Sequence, residues 1–336
     1  MEGTCVVAID AMGGDRAPDE IVTGALDAVA ELDVGVLLVG RREAIEPLFP
    51  ANTAPPGVEV LDARDVVAMD EDAVAAVRTK QDSSLVRAAE AVRDGRAHAL
   101  VGAGNTGATM AGALLGWGRI RGVARPGIAV PIPVPGSRPQ ILIDGGATVD
   151  CDPEWLVQFA RMARAYATVR FGTAEPTVGL LSNGEEPGKG DDLRKRVSPL
   201  LEAVPGFIGN VEGRDLMTTR PDVVVTDGFT GNIALKTLEG ALRQIAGLVF
   251  GILDSTPEAK QAGEVVAPLL IEAAADLDPD ATGGAALLGV NGVCVISHGA
   301  SSARAIVNAI RVAADCVEAD VVGRVAVALA EGADAR

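Results

Sequence analysis

The chain has 336 residues, 48% of them hydrophobic and 22% charged, with a formal net charge of −17. Such a length buries a large core in roughly one to three domains, and the negative excess argues against non-specific nucleic-acid binding. The four cysteines, Cys5, Cys151, Cys294 and Cys316, include no close pair, so neither a zinc motif nor a disulfide framework is expected.

The N-terminus carries no basic start followed by an apolar block. The longest apolar run, Ile245–Leu253, has nine residues and is too short to span a bilayer. A reducing cytoplasm is the expected setting. Aromatic residues make up 3%, so the core is expected to be built from Ala, Val, Leu and Ile, and the 40 glycines fit many tight turns.

In chain order, Val6–Ile9 reads as a strand and Asp10 to Pro18 as the turn after it. Pro18, Asp19 and Glu20 then open a helix to about Glu31. Val34–Val39 is a second strand, Arg41–Phe49 a helix, Pro50–Gly57 a loop and Val58–Leu61 a third strand. Residues 62–81 read as irregular at first and charged, and Ser83 and Ser84 precede a helix ending near Gly95. Alternation of strands and helices continues to the end, which implies an α/β fold with a mainly parallel sheet.

Gly102, Gly104 and Gly107 are spaced as in a dinucleotide-binding turn. That reading needs an acidic residue about 20 positions later to hold a ribose. The segment 108–143 contains no Asp or Glu, so the reading weakens. A close strand–helix approach at those glycines explains them at least as well. The same acid-free segment holds Arg119, Arg121, Arg125 and Arg138 and no lysine. Two readings stay open for this basic patch: solvated surface arginines, or a landing site for an acidic partner.

Pro126–Pro139 is expected to be a strand with irregular edges. Ile141–Ile143 is a buried strand ending in Asp144-Gly145-Gly146, and Asp152-Pro153-Glu154 starts a helix to about Val169. Cys151 lies at that helix start, where a thiol can be acidified; the alternative is an inert small residue. Val178–Leu181 leads into Asn183-Gly184-Glu185-Glu186-Pro187-Gly188-Lys189-Gly190. This is not a Walker A loop, because three residues separate Gly184 from Gly188 and no Ser or Thr follows Lys189. Lys189 is nonetheless the best single cation for an anionic substrate.

The organising stretch is 222–240, D-V-V-V-T-D-G-F-T-G-N-I-A-L-K-T-L-E-G. Val223–Thr226 reads as a strand buried on both faces, Asp227-Gly228 as a sharp turn, and Asn232 onward as a helix. A strand that turns into a helix start aims free N–H groups and the positive end of a helix dipole at one point, where anions bind. Similar turns occur at 11–15, 103–107, 144–147, 182–190 and 298–302. Six of them suggest strand ends that share one anionic ligand site. Residues 240–275 read as a helical hairpin, buried in the core or a dimer interface, or touching a membrane at its tip. Val293–Ile296 is a last strand, and His298-Gly299-Ala300-Ser301-Ser302 opens the C-terminal helices. A serine-hydrolase reading fails, because no G-x-S-x-G occurs and no histidine follows Ser301.

With these stretches in view, the sequence closely resembles the bacterial phosphate acyltransferases that use acyl carrier protein, the PlsX family. The resemblance rests on I-D-A-M-G-G-D (9–15), G-N-T-G-A (104–108), G-R-I-R-G (118–122), F-I-G-N-V-E (207–212), the 222–240 stretch, G-G-A-A-L-L-G (283–289) and H-G-A-S-S (298–302). Arg16 stands where that family usually has His, so no base is assigned there, and Ala300 stands where it often has Ser.

The resemblance implies an isocitrate/isopropylmalate-dehydrogenase-like α/β/α sandwich, a single catalytic domain with the hairpin projecting from it, and a homodimer associated peripherally with the membrane. It implies transfer of a fatty acyl group from acyl carrier protein to inorganic phosphate, with no metal or organic cofactor. On that reading phosphate is expected on the turns at Gly13 and Gly14, Asn105 and Thr106, and Gly228 to Asn232, with Lys189 as the cation. Asn183, Thr230 and Ser301 complete the polar set. Asp15, Asp144 and Asp227 are expected to orient donors, take a proton from phosphate, or simply cap turns. His298 is the one candidate histidine acid/base, with a structural hydrogen bond as the alternative. The carrier would dock on Arg119, Arg121 and Arg125. Rival functions are a phosphate acyltransferase for short acyl-CoA, an NAD-dependent hydroxy-acid dehydrogenase, and a membrane scaffold.

Overall fold

The computed structural model describes residues 4–274, 277 and 279–334. Its strands are β1 (Cys5–Asp10), β2 (Val34–Gly40), β3 (Val58–Asp62), β4 (Ala99–Gly102), β5 (Gly127–Ile132), β6 (Gln140–Ile143), β7 (Val178–Leu181), β8 (Phe207–Val211), β9 (Val223–Val225), β10 (Ala285–Leu288) and β11 (Val293–Ile296). The α-helices are α1 (Asp19–Glu31), α2 (Arg42–Ile45), α3 (Ala73–Thr79), α4 (Ser84–Arg93), α5 (Thr106–Trp117), α6 (Pro153–Phe171), α7 (Asp192–Leu201), α8 (Gly228–Leu253), α9 (Pro257–Ala274), α10 (Pro279–Thr282), α11 (Ala303–Glu318) and α12 (Val321–Asp334).

Local chemistry accounts for most of these boundaries. All seven residues of β2 are buried, which is why it reads as an unbroken apolar run. Pro153 occupies the first turn of α6, and Gly172 ends that helix in the left-handed conformation. Ser83 and Ser302 cap α4 and α11 by accepting the N–H of Val86 and Ala305. Phe159 and Tyr166 on α6 are fully buried, each contributing about 2 kcal/mol of apolar burial.

Strand β10 has no counterpart among the expected elements, and three further stretches differ in detail. The segment 62–81 contains α3, whose N-cap Asp72 accepts the N–H of Ala75. The helix expected over 41–49 is a four-residue α2 that passes into a 3-10 turn containing Pro47. Proline lacks the N–H that a continued α-helix would need there. Helix α8 starts at Gly228 rather than Asn232, because the Asp227 side chain caps it from outside.

The strands form one eleven-stranded sheet in the order β3-β2-β1-β4-β11-β10-β5-β6-β9-β7-β8. Pairing is parallel from β3 to β11 and again from β6 to β8, and antiparallel at β11–β10, β10–β5 and β5–β6. The two parallel halves therefore run in opposite senses. On one face lie α1, α6, α7, α11 and α12 over a single large core. On the other, α3, α4 and α5 cover the first half, and the start of α8 covers the second through Ala234, Leu235 and Leu238. Between the α3–α5 group and α8, Val130 of β5 packs against both clusters and is partly exposed, while its neighbour Ala285 of β10, also partly exposed, packs against the first alone. The sheet thus offers an apolar floor between its two sets of strand ends.

Beyond Leu238, α8 leaves the sheet and pairs with α9, with Gly263 packed on Leu253. The expected hairpin is present, although its expected last residue, 275, lies outside the described residues. Burial in the core is not what its apolar residues achieve: Ile245, Leu248, Ile252, Leu269 and Ile271 are all exposed. Among the described residues no helix is long and apolar enough to cross a membrane.

Candidate functional site

Reversal of strand sense sorts the six turns into two groups of three. The first lies at the ends of β1, β4 and β11. Gly14 has φ +118°, and a Cβ there would sit 3.1 Å from the carbonyl oxygens of both Ala103 and Gly299. Only glycine lets these three turns touch. Asp15 N–H closes the group by donating to the Gly299 carbonyl at 2.8 Å. Asp10 lies beneath, 5% exposed, accepting the Met12 N–H. Burial pushes its carboxyl above the ordinary value, against the opposing pull of hydrogen bonds that include the Met12 and Gly13 amides.

The side chains of this group are committed unequally. Asn105 caps α5 by accepting the Ala108 N–H, and its amide donates to the carbonyls of Ala68, Met69 and Glu71. The Asn105 side chain is thus engaged within the protein, and among the described residues the Thr106 and Gly107 amides of the first helical turn are the donors left without a partner. Ser301 is likewise engaged within the protein. It is 3% exposed, and its hydroxyl donates to the His298 carbonyl and lies 2.7 Å from Ser297 Oγ. His298 is exposed, with Nδ1 accepting the Ala300 N–H and Nε2 left to solvent.

The second group lies at the ends of β6, β9 and β7. Asp144 is fully buried and accepts four backbone N–H groups, from Ile128, Gly146, Ala147 and Thr148. Burial still holds its carboxyl above the ordinary range. Turn-capping is what this geometry performs, not contact with a ligand. Asp227 accepts the Thr230 N–H at 2.8 Å and the Thr230 hydroxyl at 2.9 Å, while Gly228 N–H donates to the Thr148 carbonyl. Two of the amides expected to face phosphate are thereby consumed, and the Phe229 N–H is the free donor of that turn. Asn232 lies beside Gly146 with its side chain exposed.

In the third turn, Lys189 is exposed, its stem lying against Gly184, and Asn183 is exposed nearby in sequence. Among the described residues neither side chain has a hydrogen-bond or ion-pair partner, and the same holds for Thr106 and Asn232. Sequence reasoning missed Arg194 here. It is 6% exposed and reaches the Thr226, Asp227 and Thr230 side chains. It sits in a run of charged residues that reads as a solvated helix face, so local sequence carried no signal for it.

Cys151 takes the inert reading. Burial pushes its thiol up to about 12, and it donates to the Thr148 carbonyl. Cys151→Ser should leave turnover within about two-fold, and iodoacetamide at pH 8 should not inactivate the wild type. Rapid inactivation that the variant resists would overturn this. Among the described residues no three His, Cys, Asp or Glu side chains come together as a metal site requires.

Of the arginine patch, Arg119 donates to the Ala124 carbonyl, Arg125 stacks over Trp155 at 5.0 Å, and Arg121 is exposed. Arg119 also bridges to Val290, in the turn between β10 and β11. Arg119, Arg121 and Arg125 therefore lie at the sheet end where β5 begins, whereas Arg138, between the end of β5 and the start of β6, lies at the other end and donates to the Gly172 carbonyl. The Asp144 turn meets Ile128 at the end where β5 begins.

An eleven-stranded mixed sheet of this kind, with polar turns at its strand ends, has the fold of the phosphotransacetylases. A phosphotransacetylase from Streptococcus pyogenes superposes with a TM-score of 0.63 at 13% identity, covering 95% of each chain. Residues 5–324 match the profile of the family described as fatty acid synthesis protein. The chain belongs to that family. It is 47% identical over 315 residues to a protein of Desulfitobacterium hafniense named phosphate acyltransferase, covering 93% of this chain and 94% of that one. It is 48% identical over 321 residues to a phosphate acyltransferase of Desulforudis audaxviator, covering 95% of each.

Proposed function

We propose that the chain is a phosphate acyltransferase that moves a fatty acyl group from acyl carrier protein to inorganic phosphate, giving an acyl phosphate for phospholipid synthesis. The observation that carries this reading is the 47% identity, over more than nine-tenths of both chains, to a protein named phosphate acyltransferase. A phosphate oxygen attacks the thioester carbon, the C–O bond forms, and the C–S bond breaks as the thiolate leaves and takes up a proton. Phosphate is already anionic at neutral pH and a thiolate leaves readily, so no covalent enzyme intermediate is needed. What the protein supplies is position and a set of donors for the developing oxyanion, each worth several kcal/mol. Free amides at Thr106, Gly107 and Phe229, with Asn232, His298 and Lys189, are the groups available for it. The apolar floor at Val130 and Ala285 suits the start of an acyl chain.

Phosphate-dependent release of thiol tests the reading, with palmitoyl-carrier protein run beside acetyl-CoA and palmitoyl-CoA and acyl phosphate trapped by hydroxylamine. Rapid release from the carrier substrate supports it. Release from the CoA esters alone would move the chain to phosphotransacetylase chemistry.

The acidic carrier docks, on this reading, at Arg119, Arg121 and Arg125. Reversing Arg119 and Arg121 to Glu should raise KM for the carrier about ten-fold at low salt, less at high salt, and leave KM for phosphate unchanged. An unchanged carrier KM would sink the docking site. The exposed apolar residues of α8 and α9 support a second copy of this chain as their cover, with the inner membrane surface as the other candidate. Sedimentation and vesicle co-flotation separate the two.

A further inference from the structure

Arg194 lies in Asp191-Asp192-Leu193-Arg194-Lys195-Arg196, yet its side chain is 7% exposed and fully engaged. Nε donates to the Leu181 carbonyl at the end of β7, and Nη1 to Asp191 at the start of α7. Nη2 reaches the Thr226 hydroxyl at 2.7 Å, the Asp227 carboxylate, and the Thr230 hydroxyl at 3.1 Å. One planar group thus joins three structures: the strand that launches the Lys189 loop, the helix that follows that loop, and the turn that opens α8. A lysine, with one nitrogen on a flexible stem, cannot span them.

We infer that Arg194 is a positioning residue for acyl transfer, fixing the Asp227 cap so that Phe229 N–H and Asn232 face the ligand, and tethering the Lys189 loop to the same turn. The inference rests on reading the chain as a phosphate acyltransferase. Its geometry has a titration consequence. The groups around Asp227 are the Arg194 guanidinium from α7, the Thr226 and Thr230 hydroxyls on either side of it, and the Cys151 thiol from the segment between β6 and α6; Arg194 is the charged one. Burial alone would raise the Asp227 carboxyl, but the Thr230 amide and the Arg194 charge bring it below its ordinary value. Without the guanidinium the carboxyl loses that charge and moves up from its position in the wild type. Activity that needs an ionised cap then fails at a higher pH, because protonation removes the acceptor that orders the α8 turn.

The test uses Arg194→Lys and Arg194→Ala beside the wild type, assayed by hydroxylamine-trapped acyl phosphate from pH 5 to 9. Expected are a kcat lowered at least about ten-fold in both, a raised KM for phosphate, and an acid limb of kcat/KM displaced to higher pH. Guanidinium chloride at low concentration should restore part of the Arg194→Ala activity. Folded variants with wild-type kinetics and an unmoved acid limb would overturn the inference. So would a lowered melting temperature with an unchanged pH profile, or failure of both variants to fold, since either makes Arg194 structural only. A wild type that makes no acyl phosphate would instead overturn the functional reading on which the inference stands.

Discussion

Gly231→Ala will lower the stability of the fold by about 3 kcal/mol, the upper end of what overpacking costs, and will take most of the activity with it. A Cβ at Gly231 would lie 2.0 Å from the Asp144 carbonyl oxygen and 3.1 Å from both the Asp144 carbonyl carbon and Thr226 Cγ2. The obstructing atom is backbone, in a turn whose side chain accepts four N–H groups, so it has nowhere to retreat. Relief must come from α8, whose first turn holds the Asp227 cap and Asn232. Thermal denaturation of the variant checks this beside Gly240→Ala, a position on the same helix where a Cβ meets nothing within 4 Å. The control should be neutral or stabilise by about 0.5–1 kcal/mol, as alanine does in exposed helix interiors. Equal melting temperatures for the two variants would refute the close approach of α8 to the Asp144 turn.

Lys189→Ala will reduce kcat by about 10²–10³-fold, the cost of removing one strong donor from a charge-stabilising site, while the melting temperature moves by less than about 1 °C. Lys189 is exposed and without an ion-pair partner among the described residues, so its loss should disturb no packing. It follows the sharpest part of the 182–190 turn, at the sheet end that also carries Asn232 and the Phe229 amide. Lys189→Arg should recover part of the activity, since charge is kept while its placement changes. Wild-type turnover in the alanine variant would remove Lys189 from the site and leave the backbone amides and His298 to hold the anion.

Much of this was legible in the residues. Val34–Val39 and Val223–Thr226 read as strands because a strand buried on both faces shows a short run without polar alternation. Asp152-Pro153-Glu154 marked the start of α6 because proline and acidic residues satisfy a helix N-terminus locally. The glycine turns were visible too, since close backbone approach leaves its mark in the residue type. Strand β10 was not legible, because Ala285–Leu288 carries no alternation and no flanking signal beyond Gly283, Gly284 and Gly289. That omission had the largest consequence. β10 and its antiparallel partners reverse the sense of the sheet, so six turns of one local grammar fall into two groups at opposite-running strand ends.

The commitment of each polar group was equally invisible. Asn105, Asp144, Ser301 and Arg194 are all polar residues beside glycine turns or in a charged run, yet in the fold each is engaged by protein partners, while the side chains of Thr106, Asn183, Lys189 and Asn232 have none among the described residues. The sequence by itself determined the strand–helix alternation, the turn chemistry and, through shared motifs, the family. Tertiary structure alone decided which strand ends face the same way, which donors remain unpaired and which arginine is buried. The division is physical: periodicity, caps and turns are set by neighbours a few residues apart, whereas strand sense, burial and hydrogen-bond satisfaction depend on partners brought together across the chain, as Arg194 and Asp227 are.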